Sequence, residues 1–386
     1  MKAIPLYIHI PFCRSKCSYC SFYSSTEYTV KLEKLFLSEL YSQINYYMIL
    51  TKSDFCKTIY IGGGTPSMLS YSGLQNLLDY LDRFIDDAIV EFTIECNPED
   101  ISFDFLKLLK KSKINRISLG VQSFNDSVLT RSGRKCSSYT IETAINLINQ
   151  HWESKFSVDI ISGLPGQTLG SQLLDINKAV VSGADHISCY SLIMEESTPL
   201  FDTYSVDQEL EDEMWSICNK VLLKNDFVNY EVSNYAKIGY ESIHNHQYWQ
   251  MNEYIGCGPG AVSMIKENEI KRINNTHNIF DYLKGKDKNW FSTDETINPQ
   301  EFLFENFMMG LRTTSGIDRK IFRKRFGFFP EKFLPKTIKK YSSDTFLIKT
   351  GNFALNSKSR LFMNSILMDV YDELFTLQSN IIINWP

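Results

Sequence analysis

The chain has 386 residues, of which 43% are hydrophobic and 22% are charged. This composition is typical of a globular protein with enough apolar residues for one large domain and a smaller one. The formal net charge of −5 argues against a nucleic-acid partner, and no apolar run of about 18 residues predicts a membrane span.

The chain contains nine cysteines, an odd number, and only three of them lie close together in the sequence. A disulfide framework of the kind found in secreted proteins is therefore not expected. The first residues also lack the apolar segment and cleavage site of a signal peptide. We expect a cytoplasmic protein, because a reducing compartment protects clustered thiols.

Short apolar segments alternate with amphipathic helical segments through the first half of the chain. The predicted strands cover residues 6–10, 58–61, 91–95, 116–120, 157–161 and 186–192. Each is close to continuously apolar, as parallel strands covered on both faces usually are. Six successive βα units predict an α/β fold, namely a partial (β/α)6 barrel that is related to the TIM barrel and open on one side.

The alternation weakens in the second half of the chain. Residues 266–298 are rich in Lys, Asn and Asp and are interpreted as a linker or exposed excursion. Residues 299–386 predict a small, mainly helical C-terminal domain, with a helix at 302–311 and short helices and a hairpin after it. Residues 1–265 then form the barrel and its extension.

Three thiols lie in one short loop directly after the first predicted strand. Cys13, Cys17 and Cys20 have the spacing C-x3-C-x2-C. A four-iron cluster normally takes four Cys thiolates, so three would leave one iron without a protein ligand. An open metal position is usually where chemistry occurs. A structural zinc site or three unrelated thiols are the alternatives, although no second Cys/His pair follows to complete a zinc site.

Polar or glycine-rich residues also follow the ends of later predicted strands. These are Gly62-Gly63-Gly64-Thr65-Pro66, Glu95, Gln122 and Asp159, with Arg134 further along the chain. The glycines let backbone groups approach a ligand, and a guanidinium pairs well with a carboxylate. Each feature alone is equally consistent with a turn or a solvated rim residue. Together they indicate a binding site at the carboxyl ends of the strands.

These motifs occur in a defined order along the chain. The ordered set is Leu6-Tyr-Ile-His-Ile-Pro-Phe-Cys13, Gly62-Gly-Gly-Thr-Pro66, Glu95-x-Asn97-Pro98, Ser118-Leu-Gly-Val-Gln122-Ser-Phe124, Asp159-x3-Gly163-Leu-Pro-Gly-Gln167 and His244-Asn-x2-Tyr248-Trp249. It resembles the oxygen-independent coproporphyrinogen III oxidase family of the radical S-adenosylmethionine (SAM) superfamily. Within that family it is most similar to the haem-chaperone branch, HemW. The resemblance is strong over residues 3–265 and weak beyond them.

The resemblance implies cofactors and residue roles. It implies that Cys13, Cys17 and Cys20 ligate a [4Fe–4S] cluster, and that SAM binds the open iron. The residues implied for the SAM pocket are Tyr7, Tyr19, Gly63, Gly64, Thr65, Glu95, Gln122, Arg134 and Asp159. In this superfamily the reduced cluster cleaves SAM to a 5′-deoxyadenosyl radical. An electron donor is therefore an implied partner. The sequence assigns no catalytic residue.

The motif His244-Asn-x2-Tyr248-Trp249 is a second candidate site. Histidine is a common axial ligand of haem iron, and aromatic side chains can pack on a porphyrin face. The resemblance implies that His244 is the haem ligand, and His246 is a second candidate. The alternative is a structural histidine that caps a turn beside Trp249.

Two features separate the branches of this family. The oxidases have a fourth cysteine two residues after the third, and Phe22 occupies that position here. The oxidases also have an extension before the barrel that this sequence does not show. Both features favour a haem chaperone that delivers haem to an acceptor protein, with membrane proteins among the candidate acceptors. The alternatives are an oxygen-independent coproporphyrinogen III dehydrogenase that carries out oxidative decarboxylation, another radical SAM enzyme that modifies tetrapyrroles, or a scaffold that has lost its chemistry.

Overall fold

The structure is a computed structural model that describes residues 2–86, 89–285, 290–349, 351–376 and 381–386. Most of the first 260 residues build one large sheet and the helices that cover it. No helix in the described ranges has the length and apolarity needed to cross a bilayer.

The large sheet follows the predicted βα alternation. Its strands are β1 (Ala3–Ile10), β2 (Phe55–Gly63), β3 (Glu91–Cys96), β4 (Arg116–Gln122), β5 (Lys155–Ser162), β6 (His186–Ser191), β7 (Val228–Asn229), β8 (Asn234–Ala236) and β9 (Ile255–Cys257). Their spatial order is β7-β8-β6-β5-β4-β3-β2-β1-β9. Strands β1 to β6 are parallel, which confirms the predicted partial barrel. Strand β9 adds a further parallel strand beside β1, whereas β8 pairs antiparallel with β6.

Helices connect these strands. They are α1 (Val30–Leu50), α2 (Tyr71–Leu81), α3 (Phe103–Lys110), α4 (Asp126–Arg131), α5 (Ser138–His151), α6 (Leu169–Val181), α7 (Gln208–Lys224) and α8 (Ile243–Trp249). Each begins after a Ser, Thr, Asn or Asp whose side-chain oxygen accepts a hydrogen bond from a free N–H of the first turn. These caps explain where the helices start, so that each strand end leads into a short loop.

The two faces of the parallel strands differ, unlike the continuously apolar strands that the sequence suggested. Side chains of one parity, such as Ile59 and Ile94, pack in the core against the helices. Side chains of the other parity, such as Tyr60, Glu95 and Asp159, face the inside of the barrel and line a cavity. The alternation arises because successive side chains of a strand point to opposite faces. The concave face holds a polar cavity here, instead of a second apolar layer.

Residues 266–298, suggested as a linker or exposed excursion, contain regular structure. Strands β10 (Val262–Lys266), β11 (Ile270–Asn275) and β12 (Phe291–Thr296) form an antiparallel sheet, with α9 (Ile279–Tyr282) before β12. The Tyr282 hydroxyl donates a hydrogen bond of 2.7 Å to the buried Gln43 of α1. The apolar residues that anchor this segment are separated by polar ones. The polar composition of the segment therefore suggested a linker, although these apolar residues are buried. Residues 286–289 lie outside the described residues.

The C-terminal region is mainly helical, as predicted. Its elements are α10 (Pro299–Gly310), β13 (Ile317–Asp318), α11 (Arg319–Phe326), α12 (Pro335–Lys340), β14 (Phe346–Lys349), β15 (Asn352–Leu355) and α13 (Met363–Phe375), and β14 and β15 form the expected hairpin. Its buried apolar side chains form a cluster of their own that also includes Met251, Met264 and Ile270. The domain boundaries at 265 and 298 stay predictions.

Candidate functional site

A cavity of about 390 Å³ opens at the carboxyl ends of the parallel strands. The structure brings most of the predicted site residues to its wall, although they are distant in the sequence. Those that line it are Cys13, Cys17, Cys20, Tyr19, Gly63, Gly64, Thr65, Glu95, Gln122, Arg134 and Asp159. Parallel α/β folds build their sites at this edge because the loops after the strands converge there.

The loop with the three thiols is held over the cavity by its own backbone. Cys13 N donates to Ser25 O at 3.0 Å, and Cys20 N donates to Cys17 O at 3.2 Å. An ion pair between Arg14 and the buried carboxylate of Asp100 fixes the loop to the turn after β3. The three cysteines are partly exposed and face one space.

The donor set fits a four-iron cluster better than a single metal ion. Within the described part of the chain, no three His, Cys, Asp or Glu side chains converge on one metal position. A zinc site would require such convergence. Each Cys of a [4Fe–4S] cluster binds a different iron, so three thiols around one cavity suffice for three corners.

The glycine turn after β2 lets the backbone approach the thiol loop. A Cβ on Gly64 would lie 2.7 Å from Phe12 O and 3.1 Å from Cys13 Sγ. Gly63 has a φ of +108°, which other residues rarely adopt. Thr65 Oγ1 lies 3.4 Å from Cys13 Sγ. A side chain at Gly64 would therefore displace the thiol loop or fill the space beside it.

Glu95 is a buried carboxyl on the cavity wall. It accepts hydrogen bonds from the Tyr60 hydroxyl at 2.7 Å and from Gly63 N at 3.1 Å. Burial raises the pKa of Glu95 to about 7, and the charge of Asp159 adds to that rise, whereas the two hydrogen bonds oppose it. Glu95 can therefore change protonation state close to neutral pH.

Asp159 occupies the next layer of the barrel interior. The Ser118 hydroxyl donates to it at 2.9 Å, and the Ser188 hydroxyl donates at 2.7 Å. Burial raises the pKa of Asp159, and these hydrogen bonds oppose the rise. The two serines hold the carboxyl in one orientation toward the cavity.

Arg134 carries a buried donor without a partner. Its Nη2 donates to Asn97 Oδ1 at 3.0 Å and to the Gly120 carbonyl, whereas Nε has no hydrogen-bond partner in the residues the structure describes. Buried polar groups are nearly always satisfied. A carboxylate placed in the cavity would satisfy Nε with charge-assisted geometry. This orphaned donor fits the carboxylate of a bound amino acid such as the methionine end of SAM.

Gln122 lies at a backbone irregularity beside this guanidinium. Its φ is +69°, and the pairing of β4 with β5 shifts register between Gly120 and Gln122. Non-glycine residues at positive φ are uncommon and often mark binding sites. The irregularity brings Gln122 to the wall of the cavity.

The two predicted tyrosines differ in position. Tyr19, in the thiol loop, lines the cavity. Tyr7 lies beside Tyr60, with ring centroids 6.1 Å apart, and its hydroxyl is hydrogen-bonded to His9 Nδ1 at 3.0 Å. Tyr7 is not among the described residues that line the cavity. Its role in SAM binding stays a prediction.

The structure places His244 outside the cavity lining, against Tyr60 of the cavity wall, with ring centroids 5.3 Å apart. Its side chain is 1% exposed. Nδ1 is hydrogen-bonded to Thr58 Oγ1 and Nε2 to the Tyr248 hydroxyl, both at 2.8 Å. Burial lowers the pKa of His244 to about 3. Neither nitrogen is free to bind iron in this conformation, which agrees with the structural alternative. The haem-ligand role of His244 stays a prediction.

Several residues of the cavity wall were not predicted as site residues, although Asn97 and Ser118 lie in the motifs that carry the family resemblance. They are Tyr60, Asn97, Ser118 and Tyr190. Tyr60 and Ser118 each lie two positions before a glycine of a recognised motif. Because strand side chains alternate, residues two apart share a face. The two-residue period of side chains along a strand was the signal that could have identified Tyr60 and Ser118.

The fold and the cavity together define a radical SAM protein. The sequence model of the Radical SAM superfamily matches residues 7–175, and that of the HemN C-terminal domain matches residues 297–362. The chain is 34% identical to the heme chaperone HemW of Bacillus subtilis (strain 168), over 86% of this chain and 89% of that relative. It is 30% identical to the heme chaperone HemW of Escherichia coli (strain K12), over 95% of this chain and 98% of that relative. The chain belongs to the HemW family.

A solved structure supports the fold. Coproporphyrinogen III oxidase (HemN) from Escherichia coli, a radical SAM enzyme, matches with a TM-score of 0.81 at 19% identity. The match covers 96% of this chain and 90% of that one. At this identity the likeness shows a shared architecture.

Proposed function

We propose that this protein is a radical SAM haem chaperone that binds a [4Fe–4S] cluster, SAM and haem, and delivers haem to acceptor proteins. The observation that carries the proposal is the single cavity at which Cys13, Cys17 and Cys20 meet the orphaned donor of Arg134. Membership of the HemW family supports the haem-related part.

The residues of the cavity have distinct tasks in this proposal. Cys13, Cys17 and Cys20 would hold the cluster, which would supply one electron to the sulfonium of SAM. Arg134 Nε binds the SAM carboxylate, and the glycine turn at Gly63 and Gly64 leaves room for the methionine end. Glu95, oriented by Tyr60, accepts hydrogen bonds from the ribose hydroxyls. The buried walls exclude water from the reacting sulfonium.

Phe22 distinguishes the chaperone from an oxidase. It lines the mouth of the cavity next to the thiol loop and is 66% exposed. A phenyl ring cannot replace the thiol of the fourth cysteine that the oxidases have at this position. It instead presents an apolar surface, which suits contact with a tetrapyrrole. The protein would work in the cytoplasm with an electron donor and a haem-accepting protein.

Coproporphyrinogen III dehydrogenase is the second candidate function, because the fold is shared with the oxidase from Escherichia coli. The discriminating experiment is anaerobic incubation of the reconstituted protein with SAM, a reductant and coproporphyrinogen III. We expect no protoporphyrinogen by chromatography, with the Escherichia coli oxidase as positive control. Formation of protoporphyrinogen at a comparable rate would overturn the chaperone assignment.

The transfer of haem to an acceptor protein is tested in a separate experiment. The haem-loaded protein is mixed with an apo-haemoprotein, and the Soret band of the acceptor is followed. We expect transfer faster than from haem bound to serum albumin at the same concentration. Transfer no faster than from albumin would contradict a delivery role.

A further inference from the structure

An axial ligand of haem iron must present a ring nitrogen with a free lone pair to a space that admits a porphyrin. Three of the six histidines do not meet this requirement. His9, His186 and His244 are 3%, 3% and 1% exposed, respectively. Both ring nitrogens of each one are hydrogen-bonded within the protein.

His244 also lies behind the cavity wall. Its ring packs against that of Tyr60, with centroids 5.3 Å apart, and Tyr60 lines the cavity. His244 Nδ1 is bonded to Thr58, two residues nearer the amino end of the same strand. His244 is therefore covered by other side chains where it lies.

Two of the remaining histidines are poorly placed for a porphyrin. The ring of His151, at the end of α5, packs against Phe103 with centroids 5.0 Å apart. His246 is partly buried, and its ring lies 5.4 Å from that of Tyr230.

His277 is exposed and contacts Tyr23, which lies three residues after Cys20 in the sequence. Its ring stacks on that of Tyr23, with centroids 6.0 Å apart and planes 19° apart. Within the part of the chain that the structure describes, neither ring nitrogen of His277 has a hydrogen-bond partner. One face of the imidazole is thus supported by an aromatic ring, while its nitrogens remain available.

Tyr23 is itself held in place. Its hydroxyl accepts a hydrogen bond of 2.7 Å from Ile279 N, at the first turn of α9. Gly260 packs against both rings, and a Cβ there would lie 3.0 Å from Tyr23 Cβ and 3.5 Å from His277 Cδ2. The absence of a side chain at Gly260 lets the pair sit against the turn after β9. The orientation of the imidazole is therefore set before any ligand binds.

Exposed aromatic side chains lie in the same two chain segments. Phe22, directly before Tyr23, is 66% exposed, and Phe280, three residues after His277, is 50% exposed. Exposed apolar side chains that form one patch mark binding sites, whereas single ones are common on protein surfaces. A flat, apolar ligand with a metal at its centre combines the two chemistries that this surface offers.

We infer that His277 supplies an axial ligand to haem iron, with Tyr23 fixing the imidazole and Phe22 contacting the porphyrin. This inference rests on the proposed function, because it assumes that the protein binds haem. It places the haem at the protein surface next to the thiol loop, and not at the buried His244.

The test is a titration of the full-length, cluster-loaded protein with ferric haem, followed by its Soret band and electron paramagnetic resonance. His277→Ala is expected to raise the Kd about tenfold or more and to remove the imidazole-ligated signal. Added free imidazole is expected to restore that signal. His151→Ala is the matched control and is expected to bind as the wild type does.

Other outcomes are decisive as well. Wild-type spectra and affinity in His277→Ala would overturn the inference, as would loss of the ligated signal in His244→Ala or His246→Ala alone. A wild-type protein that binds no haem would overturn the proposed haem function itself. Phe22→Ser is expected to weaken haem binding while keeping the imidazole-ligated signal, and unchanged affinity would remove Phe22 from the site.

Discussion

Two buried charged groups, Glu91 at the amino end of the barrel interior and Arg134 at the carboxyl end, differ in how their hydrogen-bonding atoms are satisfied. At the amino end, the buried carboxylate of Glu91 accepts hydrogen bonds from the Ser242 hydroxyl, Ile243 N and His244 N, at 2.9 to 3.1 Å. At the carboxyl end, Arg134 Nε is buried without a partner in the described residues. The first arrangement closes the barrel with helix α8, whereas the second leaves a donor for a ligand.

The comparison shows that polar residue type alone does not identify a binding site. Glu91 and Glu95 lie on the same strand, four residues apart, and both point inside the barrel. Glu91 caps a helix and lies 3.7 Å from Arg116. Glu95 borders a cavity that remains open. What separates them is whether the surrounding chain uses all of their bonding capacity.

The largest expected effect is at the thiol loop. Cys17→Ala should abolish cluster assembly, because only two thiolates then remain to bind the three irons that the loop is proposed to ligate. Iron and sulfide analysis after anaerobic reconstitution should give about four of each per wild-type chain and almost none in the variant. Cys56→Ala is the control, since Cys56 is buried in the core away from the cavity and should leave the cluster intact. A full cluster in Cys17→Ala would contradict the ligand assignment.

The next largest effect is on folding, at the amino end. Glu91→Ala would leave Arg116 buried without its carboxylate and remove the acceptor of three donors. The free energy of unfolding should fall by about 3–5 kcal/mol, measured by urea denaturation of the apoprotein. Glu153→Ala, which removes an exposed ion pair, should cause no measurable change. Equal stability of the two variants would contradict the closing role of this end.

A smaller effect is expected at the unsatisfied guanidinium. Arg134→Ala should weaken SAM binding about ten- to a hundredfold, since a hydrogen bond to a charged group contributes about 1.5–3 kcal/mol. Isothermal titration of the cluster-loaded protein with SAM measures this. Arg131→Ala, an exposed neighbour outside the cavity, is the control. Unchanged SAM affinity in Arg134→Ala would show that the orphaned donor is not the carboxylate site.

The smallest effect concerns pH. Because the pKa of Glu95 is about 7 and the ionised form accepts the ribose hydrogen bonds, SAM affinity should fall as the pH drops below neutrality. The Tyr60 hydroxyl lowers that pKa, so Tyr60→Phe should move the midpoint upward by about one pH unit. Tyr190→Phe, on the same wall, is the control. A midpoint unchanged by Tyr60→Phe would show that another group governs the pH dependence.

The sequence predicted the barrel well because its signals are local. Short apolar strands, helix caps and glycine turns are each encoded by residues that are close together in the sequence. The thiol loop and the glycine turn were recognisable for the same reason. Residues 266–298 were less predictable, since the burial of Tyr282 depends on α1, which is more than 200 residues away in the sequence.

The sequence by itself determined the six successive βα units, the three thiols on one loop and the family to which the chain belongs. Only the tertiary structure decided which polar groups stay available. His244 and His277 are the same residue type, yet one has both nitrogens bonded inside the barrel and the other is exposed against Tyr23. Hydrogen-bond satisfaction depends on partners that come together only when distant segments pack, so residue type and spacing do not reveal it.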